Sequence, residues 1–186
     1  MIRPVALILI ALCAFLWIQP ARAGTIVNQD VYTFNTIPTN GSISGSPGQT
    51  IGWGYTISND SPTRWLNVTG LDAGTFLHAS AGAWIFDFPI LGPMASVTVP
   101  YDGLLLLGLY ELTWDLSAPP GFVNAGDFQI LAEWWTGDPF GGGTFIENAP
   151  DAFQPYSAAV VPEPSVLVLL AAGLLVVVAM RRRSCC

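Results

Sequence analysis

Apolar and polar residues alternate through the middle of this chain. From Thr50 to Ser58, the apolar Ile51, Trp53, Tyr55 and Ile57 interleave with Gly52, Gly54 and Thr56. A period of two turns one face of an extended strand to a core and the other to solvent, which predicts a half-buried antiparallel strand. Turn residues bracket it, Ser46-Pro47-Gly48 before and Asn59-Asp60-Ser61-Pro62 after. Leu66 and Val68 predict a short partner strand ahead of Gly70. Val97, Val99 and Tyr101 alternate again after Pro93. Tyr110, Leu112, Trp114 and Leu116 form an apolar face opposite Glu111, Thr113 and Asp115, and Pro119-Pro120-Gly121 ends that strand. Phe128, Ile130, Ala132 and Trp134 do the same against Asp127, Gln129 and Glu133. Val31 to Phe34, Trp84 to Phe88 and Tyr156 to Val161 read as further strands. No stretch here has a helical period. Roughly eight short strands, spaced by turns, predict an all-β antiparallel sandwich.

The two ends break the alternation. Arg3 precedes an apolar run from Val5 to Ile18, Pro20 interrupts it, and Ala21-Arg22-Ala23 is a small-x-small site. This is the layout of a secretory signal peptide over 1–23, with cleavage between Ala23 and Gly24. Cys13 lies inside the apolar run, which argues against a lipoprotein. At the other end, Pro162-Glu163-Pro164 forbids helix, because proline lacks an N–H and restricts the residue before it. An uncharged run from Val166 to Met180 follows, then Arg181, Arg182 and Arg183. The run predicts a short transmembrane helix over 166–180, and the arginines a stop that stays in the cytoplasm. The domain order is therefore signal peptide 1–23, exported β-sandwich 24–160 and tail 161–186.

Charge narrows the partners. Of six basic residues only Arg64 falls in 24–160, against twelve of the thirteen acids, so that region carries 1 − 12 = −11. Nucleic acid and anionic membrane surfaces both need a basic footprint, and both are excluded as partners. All three cysteines, Cys13, Cys185 and Cys186, lie outside this region. The exported domain must stand on its apolar core without disulfides.

The order of proline motif, short apolar helix and basic stop at the C-terminus resembles the PEP-CTERM sorting tail of exported proteins in Gram-negative bacteria. Pro162, Glu163, Pro164, the run Val166 to Met180 and Arg181 to Arg183 carry the resemblance. It implies recognition by an exosortase, a membrane enzyme that cuts near the motif and releases or re-attaches the protein. It also implies transient anchoring in the inner membrane, a final place at the cell surface or in the matrix, and a link to exopolysaccharide and biofilm. Two other stretches, Pro47-Gly48 through Asn59 and Gly92-Pro93 through Tyr110, resemble strands of the Ig-like domains of bacterial surface proteins. The Ig disulfide is missing, and a jelly roll stays open.

Candidate chemistry is sparse. His78 is the only histidine, too few for a multi-histidine metal site, and no Gly-x-Ser-x-Gly elbow occurs. Glu111 and Glu133 lie near tryptophans, as glycosidase carboxylates do, but the alternation places both on a solvated face. Thr136 to Asp151 reads as an acidic, glycine-rich flexible loop without a calcium-site spacing. Asn40, Asn59 and Asn67 head glycosylation sequons of the common chance type. No catalytic residue, metal or cofactor is expected. Trp53, Trp114 and Trp134 fall on apolar faces and read as core. Trp65 and Trp135 fall on the opposite parity and are the candidate ligand-facing aromatics. Two functions follow: a non-enzymatic surface or biofilm-matrix protein, or a carbohydrate-binding module carried on the same tail, with polysaccharide as its partner.

Overall fold

The computed structural model describes residues 31–161. The signal segment with Ala21, Ala23 and Gly24 lies outside the described residues. So do Pro162, Glu163, Pro164, the run 166–180 and Arg181 to Arg183. The described chain is all β, without a helix. Its strands in order are β1 (Tyr32–Ile37), β2 (Ser42–Gly45), β3 (Thr50–Asn59), β4 (Trp65–Asp72), β5 (Ala79–Gly82), β6 (Ile90–Leu91), β7 (Ser96–Val99), β8 (Tyr110–Trp114), β9 (Val123–Trp135), β10 (Phe145–Asn148) and β11 (Ala152–Val160).

Two sheets share one core. The first runs β1-β3-β8-β5, with β7 also on β3; the second runs β2-β11-β9-β4-β6, with β10 on β9. Strand β3 organises the first sheet. Its entry is a turn in which Gln49 N–H donates to Ser46 O at 3.0 Å, with Pro47 fixing φ and Gly48 at φ 75°, the chemistry of a type II turn. Its exit is Asn59, whose side chain is buried. Asn59 Nδ2 donates to the carbonyls of Arg64 at 2.8 Å, Leu91 at 3.1 Å and Gly92 at 2.8 Å, and Oδ1 accepts from Ser61 N–H at 3.0 Å. One amide thus ties the end of β3 to the second sheet. A glycan has no room on it.

The core is aromatic. Trp53 and Trp114 from the first sheet and Phe128, Trp134 and Tyr156 from the second are all buried. Trp53 meets Phe128 edge to face with centroids 5.1 Å apart and Tyr156 at 5.7 Å. Such pairs each add about 0.5–1.5 kcal/mol beyond the area they bury.

Several expectations need correction. The outer side of β3 is covered at its middle: Gly52 and Gly54 are buried, because the Tyr101 ring and the Val99–Tyr101 backbone lie across them. Trp84 to Phe88 is a turn and loop, not a strand. Phe86 N–H closes on Ala83 O at 3.0 Å, Phe88 takes φ 48°, and Pro89 follows. Leu116 is exposed, because β8 ends at Trp114 and a turn closed by Ala118 N–H on Asp115 O follows. The second sheet is mixed rather than antiparallel, since β2 runs parallel to β11. The stretch Thr136 to Asp151 is the turn and return strand of a hairpin, with β10 paired to β9. Strand β4 runs through Gly70 to Asp72, with a register shift between Val68 and Gly70. Short β2, β5 and β6 carry too few residues for a period to register.

The last strand fixes where the tail leaves. β11 is bonded on both sides, to β2 and to β9. Val160 N–H donates to Phe122 O, Gly121 N–H to Val160 O, and Val161 N–H to Gly45 O, at 2.8–2.9 Å. The pairing continues to Val161, the last described residue.

Close backbone approach makes Gly54 a sensitive position. A Cβ there would collide with the Val99 carbonyl and come within 2.8 Å of Pro100 Cα, both main-chain atoms. Gly54→Ala is expected to destabilise the domain by about 2 kcal/mol, the usual scale for overpacking. Urea denaturation of the full chain measures it, and an unchanged midpoint would show that the 99–101 segment does not clamp β3.

Candidate functional site

The outer face of the second sheet gathers the aromatic residues of opposite parity. In the register of β4 and β9, Trp65 pairs with Trp135 and Asn67 with Glu133. In that of β10 and β9, Phe145 pairs with Trp135 and Asn148 with Glu133. Three rings therefore lie in a row across three strands, Phe145, Trp135 and Trp65, with a polar row beneath them. Trp135 and Phe145 touch edge to face at 6.0 Å. A Cβ placed on Gly92 would meet the Trp65 ring at 3.6 Å, ordinary contact. Both tryptophans are half-buried and Phe145 is exposed.

The polar row is held in place. Glu133 Oε2 accepts from Trp135 Nε1 at 3.0 Å and from Asn67 Nδ2 at 3.3 Å. At the edge, Arg64 Nη1 meets Glu147 Oε1 at 2.6 Å. Flat apolar rings beside a fixed carboxylate and amide offer the two contacts a sugar takes, stacking on its C–H face and hydrogen bonds to its hydroxyls. Alternation alone singles out neither Phe145 nor Asn67. Asn67 shares the parity of Trp65 between Leu66 and Val68, which is a legible signal. Phe145 stands in a glycine-rich stretch too short for a period to show.

The structure does not bring Glu111 and Glu133 together. Glu111 is on β8 of the first sheet and Glu133 on β9 of the second, with the core between them. Carboxylates that act on one glycosidic bond stand roughly 5–10 Å apart on the same side. Nor is Glu111 on a solvated face: it is only 9% exposed. Trp84 Nε1 donates to its Oε1 at 3.1 Å and Tyr101 Oη to its Oε2 at 3.0 Å. This is a brace that folds Trp84 and Tyr101 over the outer side of the first sheet. The alternation turns Glu111 away from the core but misses the lid that buries it. His78 is an exposed loop residue at φ 55°, edge-on to Phe122 at 4.7 Å. Among the described residues no three His, Cys, Asp or Glu side chains gather as metal ligands.

The chain leaves β11 at Val160, and there the comparison with known families begins to match. The PEP-CTERM protein-sorting motif matches residues 160–183. The match covers the tail alone. It implies an exported protein whose membrane-anchored tail is processed by an exosortase. No curated protein and no solved structure matches the chain. The family evidence therefore describes how the domain is delivered, and the geometry above is what describes the domain.

The tyrosines give the domain an alkaline limit. Burial first, and then the hydrogen bond to Glu111, push the Tyr101 phenol up to about 12. Burial and then the Asp151 charge do the same to Tyr32. Burial and the bond to Asp87 raise Tyr55 further. The unfolded phenols ionise near 10.0 while the folded ones stay neutral. Their contribution to stability is complete below that value and is lost as pH rises toward about 12. Unfolding monitored across this window should steepen with pH, and Tyr101→Phe should flatten the slope; an unchanged slope would show that the phenol is already free to ionise in the fold.

Proposed function

We propose that this chain is an exported, non-enzymatic cell-surface or biofilm-matrix protein, delivered through its C-terminal sorting tail. The observation that carries the reading is the junction. The sorting motif begins at residue 160, where the last strand ends. In this reading the signal peptide 1–23 takes the chain across the inner membrane. The run Val166 to Met180 holds it there, Arg181, Arg182 and Arg183 keep the end inside, and Pro162, Glu163 and Pro164 present the processing site to the exosortase. The domain's final place is the cell surface or the extracellular matrix. Within the all-β class we read the domain as an Ig-like sandwich, supported by the Pro47-Gly48 turn into β3 and the Asn59 that ends it; a jelly roll is the alternative. Because β11 is bonded on both sides to its end, removal of the tail leaves the domain intact.

The intact mass and C-terminal peptide map of the protein from its own host test this. The expected product begins at Gly24, ends near Pro162-Glu163-Pro164 and lacks the three arginines. Replacing Pro162, Glu163 and Pro164 with alanine should leave the arginines on the recovered chain. Wild-type protein that keeps its arginines in the membrane fraction would mean a plain anchor.

A second reading has its own observation, the row Phe145, Trp135 and Trp65 on an outer sheet face. We read this face as a polysaccharide-binding surface displayed by the same tail. Trp65→Ala with Trp135→Ala should weaken retention on polysaccharide about tenfold or more, the ~1.4 kcal/mol or more that losing an aromatic anchor costs. Both side chains are half-buried, so the variant's circular dichroism is compared first. Retention equal to wild type in a folded variant would leave the matrix reading alone.

A further inference from the structure

The loop between β7 and β8 holds four consecutive leucines in solvent. Leu104 is 96% exposed, Leu105 68%, Leu106 60% and Leu107 43%. The loop is built rather than slack. Asp102 N–H donates to Leu107 O at 2.8 Å and Leu107 N–H returns to Asp102 O at 3.0 Å. The Asp102 carboxylate accepts from Leu104 N–H at 2.9 Å and Leu105 N–H at 3.0 Å. Leu106 takes φ 55°, a region that branched L residues seldom occupy. Tyr101, at the base, is locked to Glu111, and Glu111 also holds Trp84. Trp84, itself 58% exposed, adds its ring to the same side. A soluble surface rarely exposes an apolar cluster of this kind without a partner.

We infer that the leucine loop inserts into the bilayer that anchors the C-terminal tail, giving the domain a second membrane contact before processing. This rests on the membrane-anchored reading of the tail. Tether length supports it. The five residues 161–165 between β11 and the apolar run span at most ~18 Å fully extended. Trp114 and Val160 share one end of the fold. Gly48 N–H bonds Trp114 O, Val161 N–H bonds Gly45 O, and the turn 46–49 joins the two. From that end the loop lies beyond the five residues of β8 and the Gly108-Leu109 link, at most roughly 23 Å along the chain. With the domain lying on this side, loop and tail exit face one bilayer, and the tether has only to span the height of Val160 above it. The tether also makes insertion intramolecular, so a weak apolar contact suffices. The chemistry fits a lipid surface of no net charge. Leucine supplies apolar area, and Trp84 an indole of the kind enriched at membrane interfaces. Among the described residues eleven acids face the single base Arg64, a balance that repels anionic headgroups.

The test uses the full chain in phosphatidylcholine vesicles, with the native cysteines replaced by serine and an environment-sensitive fluorophore on Leu105→Cys. A second label on Phe140→Cys, at the 90% exposed tip of the β9–β10 hairpin, is the control. Flotation is measured first. A chain that does not float with vesicles overturns the membrane-tail reading and the loop proposal with it. For a floating chain, the Leu105 label should shift to the blue and lose most of its emission to lipid-borne quenchers. The Phe140 label should stay aqueous, and Leu104→Ser with Leu106→Ser should return the loop label to water. A floating chain whose loop label remains aqueous overturns the proposal alone. So does a blue shift that ignores lipid quenchers and grows with protein density, which would assign the loop to a second copy of the chain.

Discussion

The indole of Trp53 is the contact on which both sheets depend. It is fully buried, and its Nε1 donates to Gly41 O at 2.7 Å. That carbonyl also accepts from Ser157 N–H at 2.9 Å, so one oxygen links β3 to the loop before β2 and to β11. Gly41 adopts φ 64° and presses on the Pro155 backbone, a place no side chain fits. Around the indole stand Phe76, Phe128 and Tyr156. Burying a ring of this size is worth roughly 4–6 kcal/mol by area, and its one polar atom is satisfied, so little of that is offset by desolvation.

A domain without cysteines can stand on such a core, but the core leaves the two outer faces unequal. On the first sheet Gly52 and Gly54 admit the Tyr101 segment, and Glu111 draws Trp84 and Tyr101 down over the strands. That face is closed by the chain's own residues. On the second sheet Trp65, Trp135 and Phe145 remain in a row with Glu133 fixed beside them. The same residue types, tryptophan next to glutamate, thus seal one face and furnish the other. The difference lies in whether a loop crosses the strand.

Delivery and domain meet at β11. It sits inside its sheet rather than at an edge, and its bonds continue to Val161. An exported domain tethered by its last strand bears the membrane's pull through that strand. A strand paired on both sides resists such a load better than an edge strand. The described domain ends in a paired strand where the sorting motif begins.

The alternation alone located β1, β3, β4, β7, β8, β9 and β11, because an extended strand against one core repeats every second position, whereas the short β2, β5, β6 and β10 carry no such apolar repeat. It sorted Trp53, Trp114 and Trp134 inward and Trp65 and Trp135 outward by the same rule. The tail was legible as a linear order of proline, apolar run and arginines, which needs no fold to be read. What parity cannot express is what lies over a face. Glu111 has the alternation of a solvated residue and is buried, because Tyr101 and Trp84 arrive from other strands. Asn59 reads as a turn residue and turns out to bond three carbonyls across the fold. The pairing of Trp65 with Trp135, the parallel β2 and the exposed leucines of the 102–107 loop are likewise relations between distant segments. Local sequence set which way each side chain points, and only the packing of the sheets decided what it meets there.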